Sequence, residues 1–137
     1  RSLLDTHVLV YADAADQPVR QAQAIALIAR HVRDGSGVLS TQVLQEFVNV
    51  ALRKLRLPPA LIRERLAFYA RFEVVPASPE LIRAALDLHV LHGLSCSAAR
   101  IAQPAADSGC QQVWSEDSQD GFRYRAVRIA NPFREAA

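Results

Sequence analysis

An apolar run at the start of the chain is interrupted by one acidic residue, Asp5, and then resumes. The residues before it, 2–4, predict a short buried strand, because continuous apolar segments are typical of strands covered on both faces. Such a strand places Asp5 at its carboxyl end, where open α/β sheets bind their ligands. Two interpretations of Asp5 stay open at this point: a ligand of a metal ion, or the N-cap of a helical turn that starts near His7.

The next part of the chain repeats this order of strand and helix. Residues 17–34 carry apolar side chains at helical spacing, and glycines follow them, as is typical of a helix end. Residues 38–39 then predict a second buried strand, and Ser40 with Thr41 begins another helix. A strand, a helix and a strand in succession favour a parallel sheet, and therefore an α/β fold.

The remaining elements continue the pattern over a length that fits one domain, 1–137, with 50% hydrophobic residues for its core. Helices are predicted at 41–55, 60–71 and 79–92, and strands at 73–75, 112–115 and, as an edge strand, 126–129. The segment after Gly93 is compatible with a helix, but Pro104 is expected to kink or end it.

Composition excludes several classes of protein. Sixteen basic and 14 acidic residues give a net charge of +2, which is too weak to indicate nucleic acid binding by itself. The two cysteines, Cys96 and Cys110, do not form a disulfide framework, so we expect two buried thiols in a reducing, cytoplasmic environment. No apolar run approaches the roughly 18 residues that a membrane span needs, so no membrane association is expected.

Two further acidic residues, Glu46 and Asp117, follow predicted strands. Glu46 lies early in the helix after the second strand, where the alternative is a residue on a solvated helical face. Asp117 follows the strand at 112–115, where the alternative is a turn residue. Because parallel strands end at one edge of a sheet, both carboxylates are expected to converge with that of Asp5. Three such carboxylates repel one another unless protons or a cation neutralise them.

The natural counter-ion for such a cluster is Mg²⁺, since it takes oxygen ligands and is held by a few carboxylates together with substrate phosphate. A metal ion at a phosphate activates water and stabilises the charge that develops on the phosphate oxygens. The predicted chemistry is therefore phosphodiester hydrolysis.

Positive charge is concentrated in residues 53–71, where Glu64 is the one acidic residue. Arg53, Lys54 and Arg56 are the candidate RNA-binding residues of this stretch. A rim of such side chains holds phosphates without reading sequence. The alternative is an ordinary solvated helical face.

Four segments in this order resemble the PIN domain, and most closely the VapC-type toxins of bacterial toxin–antitoxin pairs: LLDTHVLVYA, STQVLQEF, VWSEDSQDG and RIANPF. The resemblance implies a three-layer α/β/α fold with a short central parallel sheet and Mg²⁺- or Mn²⁺-dependent endoribonuclease activity on an RNA substrate. It also implies a homodimer and inhibition by a cognate antitoxin protein. Carried over by position, the first, second and fourth acids of the family, its catalytic residues, fall on Asp5, Glu46 and Asp117.

The resemblance assigns supporting roles as well. Thr6 matches the hydroxyl residue beside the first acid, and Ser115 the small hydroxyl residue before the fourth. Asp120 lies where some members carry an additional acid, so the implied metal ligands are Asp5, Asp117 and Asp120.

The chain departs from the family pattern at the third acid. A gapless count from Gly93 places this acid at Ala98, and no Asp or Glu lies between Asp87 and Asp107. Ala98 has no oxygen that could bind a cation or orient water. His7 also replaces the Asn that is usual after the Thr.

Two hypotheses therefore stand. The first is a metal-dependent endoribonuclease of the VapC type whose activity is reduced by Ala98. The second is an inactive PIN-like domain that binds RNA or an antitoxin. A phosphoaspartate hydrolase is disfavoured, because His7 occupies the position of its usual second acid.

Overall fold

The computed structural model describes residues 1–116 and 120–134. Six strands and six helices are found within these ranges. They are β1 (Ser2–Leu4), α1 (Thr6–Ala12), α2 (Pro18–Asp34), β2 (Gly37–Ser40), α3 (Thr41–Arg53), α4 (Pro59–Tyr69), β3 (Glu73–Val75), α5 (Pro79–His92), α6 (Cys96–Asp107), β4 (Gln112–Trp114), β5 (Arg123–Tyr124) and β6 (Val127–Ala130).

The strands form one sheet in the order β3-β2-β1-β4-β6-β5. All neighbouring pairs are parallel except β5 and β6, which are antiparallel. The prediction of an edge strand at 126–129 is wrong in its position, because β6 pairs on both sides and the short β5 forms the edge. Strand β5 was not predicted, because a strand of two residues is too short to show an alternating pattern.

Two helix layers cover the sheet. Successive residues of a strand point to opposite faces, so Leu3 and Val38 contact one cluster of buried side chains while Leu4 and Leu39 contact the other. Residues of α5 and α6 complete the first cluster, and residues of α1 to α4 complete the second. The predicted three-layer α/β/α architecture is confirmed.

The helix ends explain why these segments stop where they do. Gly35 caps α2 in the left-handed conformation, with φ +62°, as the glycines after residue 34 predicted. Gly37 is required by packing instead, since a Cβ there would lie 2.5 Å from the ring of Phe72. This close approach lets β2 enter the sheet beside the end of α4.

Helix α6 does not end at Pro104. Pro104 has no N–H to donate to the carbonyl of Arg100, yet the helix continues to Asp107. Ser108 donates from its backbone N and its Oγ to the carbonyl of Pro104, at 3.1 and 2.7 Å, and so holds the last turn. Pro104 was expected to kink or end the helix, and the second of these outcomes is wrong.

Exposure differs from expectation at one of the two cysteines. Cys110 is buried as expected, but Cys96 is exposed at the start of α6. Helix α5 exposes the apolar side chains of Ile82, Leu86 and Val90 at four-residue steps. Among the helices in the described ranges, none is long and apolar enough to cross a membrane.

Candidate active site

Asp5 follows β1 directly and is also the N-cap of α1. Its Oδ1 accepts from the backbone N of Thr6 at 2.7 Å, and its Oδ2 accepts from Ser115 Oγ at 2.7 Å. The side chain is buried, with 6% of the residue exposed. The structure thus gives Asp5 the capping role and, at the same time, the position at a strand end that a metal ligand requires.

Ser115 occupies the equivalent position after the neighbouring strand β4 and is fully buried. The backbone joins the two strand ends, since Asp5 N donates to the Trp114 carbonyl at 3.0 Å. Ser115 N in turn donates to the Ala130 carbonyl of β6 at 2.9 Å. These bonds fix the orientation of the Asp5 carboxylate, so the supporting position predicted for Ser115 is found beside it.

Glu46 is brought to the same edge by α3. Ser40 caps this helix through a bond from Val43 N to Ser40 Oγ at 3.1 Å, so α3 begins directly at the end of β2. Thr6 Oγ1 then donates to Glu46 Oε2 at 2.9 Å. Thr6 therefore contacts both carboxylates, that of Asp5 through its backbone N and that of Glu46 through its hydroxyl.

Arg100 is a member of this group that the sequence analysis missed. Its Nη1 donates to Glu46 Oε1, and its Nη2 lies 3.2 Å from Glu46 Oε2. The signal in the sequence was a single basic residue within the alanine-rich segment of α6. Ala98, to which the resemblance assigns the missing acid, precedes Arg100 by two residues and is fully buried.

The other two predicted metal ligands are placed differently. Asp117 lies outside the described residues. Asp120 accepts from Asn131 N at 2.8 Å and pairs with Arg134 Nη1 at 2.6 Å. These contacts tie Asp120 to the segment after β6, and its role as a metal ligand stays a prediction.

The candidate RNA-binding residues lie away from the strand ends. Arg53 is the last residue of α3 and Lys54 its C-cap, while Ser40 caps the opposite end. A helix of 13 residues is about 20 Å long. Arg53, Lys54 and Arg56 are all exposed. Their positive charge is therefore separated from Ser40 by nearly the length of α3, and Arg53 lies seven residues, about 10 Å, beyond Glu46 on the same helix.

The side chains of the site carry oxygen atoms of the type that bind divalent cations. Carboxylate and hydroxyl groups of Asp5, Glu46 and Thr6 are hard oxygen ligands, which Mg²⁺ and Mn²⁺ prefer. Within 1–116 and 120–134, however, no group of three or more His, Cys, Asp or Glu is arranged to hold a metal ion. Asp5 and Glu46 are the two carboxylates that Thr6 contacts, and both could contribute to such a site.

Most of the chain, residues 2–127, matches the family model described as the PIN domain. The chain belongs to the PIN domain family. No curated protein sequence matches this PIN domain at a significant level.

Two solved structures share the fold of this PIN domain. One is a toxin–antitoxin complex from Klebsiella pneumoniae, with a TM-score of 0.70, 14% identity and coverage of 98% of this chain and 100% of that one. The other is the sarcin–ricin loop cleaving toxin VapC20 of Mycobacterium tuberculosis, with a TM-score of 0.64, 20% identity and coverage of 85% and 90%. At these identities the likeness establishes the fold.

Proposed function

We propose that this PIN domain is a metal-dependent endoribonuclease of the VapC toxin type, with activity reduced by the alanine at position 98. The observation that carries the proposal is the contact of Thr6 with both Asp5 and Glu46 at the strand ends. Membership of the PIN family supports it. So does the fold shared with VapC20, which is described as a toxin that cleaves the sarcin–ricin loop.

Different residues of the chain have different roles in the proposed reaction. Asp5, held rigidly by Ser115 and by the backbone of Thr6, presents an oriented carboxylate. Glu46 supplies a second carboxylate, and Asp117 a third that completes the proposed set. Asp5, Glu46 and Asp117 would hold a divalent ion, which would supply activated water and charge stabilisation at the phosphate. Arg53, Lys54 and Arg56 are proposed to hold the RNA backbone at a distance from the cleaved bond.

The activity is proposed to be weak because Ala98 contributes no carboxylate. Ala98 is fully buried at the third position of α6, two residues from Arg100. Loss of even a supporting contact to a metal ligand commonly lowers affinity or activity roughly 10- to 100-fold. The loss of an acid from the site is expected to cost at least as much.

The proposed partners follow from the same class of protein. They are an RNA substrate, a cognate antitoxin and, as a homodimer, a second copy of the chain, with the cytoplasm as the site of action. The antitoxin is supported by the likeness to a toxin–antitoxin complex. The homodimer is supported by the apolar residues that α5 exposes, since exposed apolar surface commonly marks an interaction site.

The test is to restore the missing acid and remove the first one. Ala98→Asp is expected to raise Mn²⁺-dependent cleavage of a labelled mixed-sequence RNA about 10-fold or more over the wild type. Asp5→Asn is expected to abolish the cleavage of both proteins. Circular dichroism melting of each variant checks that a change in rate is not a loss of fold.

Two outcomes contradict the proposal. One is cleavage that does not respond to chelation of the metal or to Asp5→Asn. The other is the absence of metal-dependent cleavage in both the wild type and a folded Ala98→Asp variant.

The absence of cleavage favours the second candidate, a PIN-like domain that binds RNA or an antitoxin without cutting. The pairing of Arg100 with Glu46 is the observation that favours it, because one of the acids is already neutralised. Retained RNA binding by a folded, inactive Ala98→Asp protein, measured by fluorescence anisotropy, would identify this function.

A further inference from the structure

The Arg100–Glu46 pair joins the two helix layers across the carboxyl ends of the strands. Arg100 belongs to α6, which packs on one face of the sheet, and Glu46 belongs to α3, which packs on the other. Both Nη atoms of Arg100 are directed to the Glu46 carboxylate, one to each oxygen. Such a two-point contact fixes both position and angle, which a single-point contact does not.

The pair is part of the proposed site. Glu46 Oε2 accepts from Thr6 Oγ1 as well as from Arg100, and Thr6 is the residue whose backbone N binds Asp5. A continuous series of contacts therefore runs from the Arg100 guanidinium through Glu46 and Thr6 to the Asp5 carboxylate. The positive charge of Arg100 lies at the acids where the cation of the proposed reaction is expected.

Arg100 brings a positive charge into direct contact with the Glu46 carboxylate. The side chains of Arg100 and Glu46 are about one third exposed, at 33% and 32%. Their attraction is therefore less screened than that of a fully exposed pair. A divalent cation that approaches Glu46 has to displace this guanidinium or bind beside it against electrostatic repulsion.

The surroundings of Arg100 leave room for that displacement. Arg100 and Pro104 border a cavity of about 370 Å³ that also contacts the start of α3 and the side of α5. A guanidinium that leaves Glu46 can remain solvated in this space instead of being buried without a partner. The ion pair can therefore open without unfolding of α6.

We propose that Arg100 is the resident counter-ion of Glu46 and competes with a divalent cation for this carboxylate. The inference rests on the proposed function, since it concerns the same acids. The alanine at position 98 removes a negative charge from α6, and Arg100 adds a positive one nearby. Both changes lower the affinity of the site for a cation. The site thus has one acid fewer, and the positive charge of Arg100 takes the place of part of the charge of the metal ion.

The experiment measures Mn²⁺ binding in the absence of RNA. Isothermal titration calorimetry of Arg100→Leu is expected to show Mn²⁺ affinity at least 10-fold higher than that of the wild type. The double variant Arg100→Leu with Glu46→Gln is expected to lose this gain, because the freed carboxylate is then gone. Arg100→Lys, which keeps the charge, is expected to stay close to the wild type.

Arg65→Leu is the matched control. Arg65 also forms a two-point ion pair, with Asp13 at 2.9–3.1 Å, and its side chain is similarly exposed at 37%. It lies on α4, and Asp13 is the C-cap of α1, away from the strand ends. Its loss is expected to leave Mn²⁺ affinity unchanged.

An unchanged or lower Mn²⁺ affinity in folded Arg100→Leu overturns the inference. If Arg100→Leu does not fold, Arg100→Gln removes the same charge, and its Mn²⁺ affinity is measured instead with the same expected gain. The two proposals can fail separately, because the Mn²⁺ titration contains no RNA and measures no cleavage. A gain in Mn²⁺ affinity without any RNA cleavage would leave Arg100 as the counter-ion and reject the ribonuclease.

Discussion

The two helix layers cover the sheet with side chains of different size. In the layer of α1 to α4, Phe47 and Tyr69 are buried and their rings pack edge to face, with centroids 5.5 Å apart. In the layer of α5 and α6, the residues that α6 buries are mostly small: Ala98, Ala99, Ala102 and Ala105, together with Ile101. Helices that present small side chains approach their neighbours more closely than helices that present large ones.

This difference explains how the proposed site is assembled. The layer with large side chains is stabilised mainly by buried apolar area, and α3 is held in it by Phe47. The layer with small side chains carries Arg100 on α6, and Arg100 contacts Glu46 of the other layer past the strand ends. The packing of the first layer therefore requires large buried side chains, whereas the packing of the second requires small ones.

The largest predicted effect tests the dependence of the first layer on volume. Phe47→Ala is expected to lower the free energy of unfolding by about 3–5 kcal/mol, because a fully buried aromatic side chain is lost and a cavity is left. Leu52→Ala, on the same helix but half exposed, is the control and is expected to cost far less. If urea unfolding shows that the two variants lose equal stability, the first layer does not depend on its large buried side chains.

The next effect tests the second layer in the opposite direction. Ala102→Leu is expected to destabilise the protein by about 1–3 kcal/mol, because added methyl groups have no space beneath α6. The exposed Ala67 of α4 gives the control, since Ala67→Leu adds the same volume to a helix surface. A folded Ala102→Leu protein of unchanged stability would show that this interface is not closely packed.

The smallest effect is a pH dependence confined to the first layer. His31 of α2 is buried, and this burial lowers the pKa of its imidazole, partly offset by the hydrogen bond from Nδ1 to the Leu27 carbonyl at 2.9 Å. The positive charge of Arg30 lowers this pKa further, and Asp34 raises it. The unfolded chain therefore binds a proton at a pH at which the folded chain does not.

The sign of the pH effect follows from this difference. The stability contributed by neutral His31 is complete above the ordinary imidazole pKa of about 6.5 and declines as the pH falls below it. In urea unfolding between pH 7.5 and pH 5, the stability difference between the wild type and His31→Gln is expected to shrink. A constant difference across this range contradicts the prediction.

Much of the fold could be predicted because its signals are local. The alternation of short apolar segments with amphipathic ones identified β1 to β4 and α1 to α5 to within a few residues. The contacts between Asp5, Thr6, Glu46 and Ser115 follow from the same pattern. Three of these residues lie at or just beyond the ends of parallel strands, and Glu46 lies in the second turn of the helix that follows β2. A parallel sheet brings such positions together whatever the packing of the helices is.

Other features were decided by tertiary structure. The edge strand β5 exists because β6 offers it a partner, and the two residues that form it carry no strand pattern of their own. Helix α6 continues through Pro104 to Asp107, although the Arg100 carbonyl has no helical N–H donor there, and Ser108 caps the end of the helix.

The sequence by itself therefore determined where Asp5 and Glu46 lie, and the packing of two helix layers decided which charge neutralises Glu46. Arg100 and Glu46 are 54 residues apart and lie on helices that cover opposite faces of the sheet. No local periodicity encodes the distance between two such helices, because this distance is set by the sizes of all the side chains packed between them and the sheet. The alanines of α6 and the aromatic side chains of α3 and α4 fixed that distance, and with it the contact of Arg100 with the site.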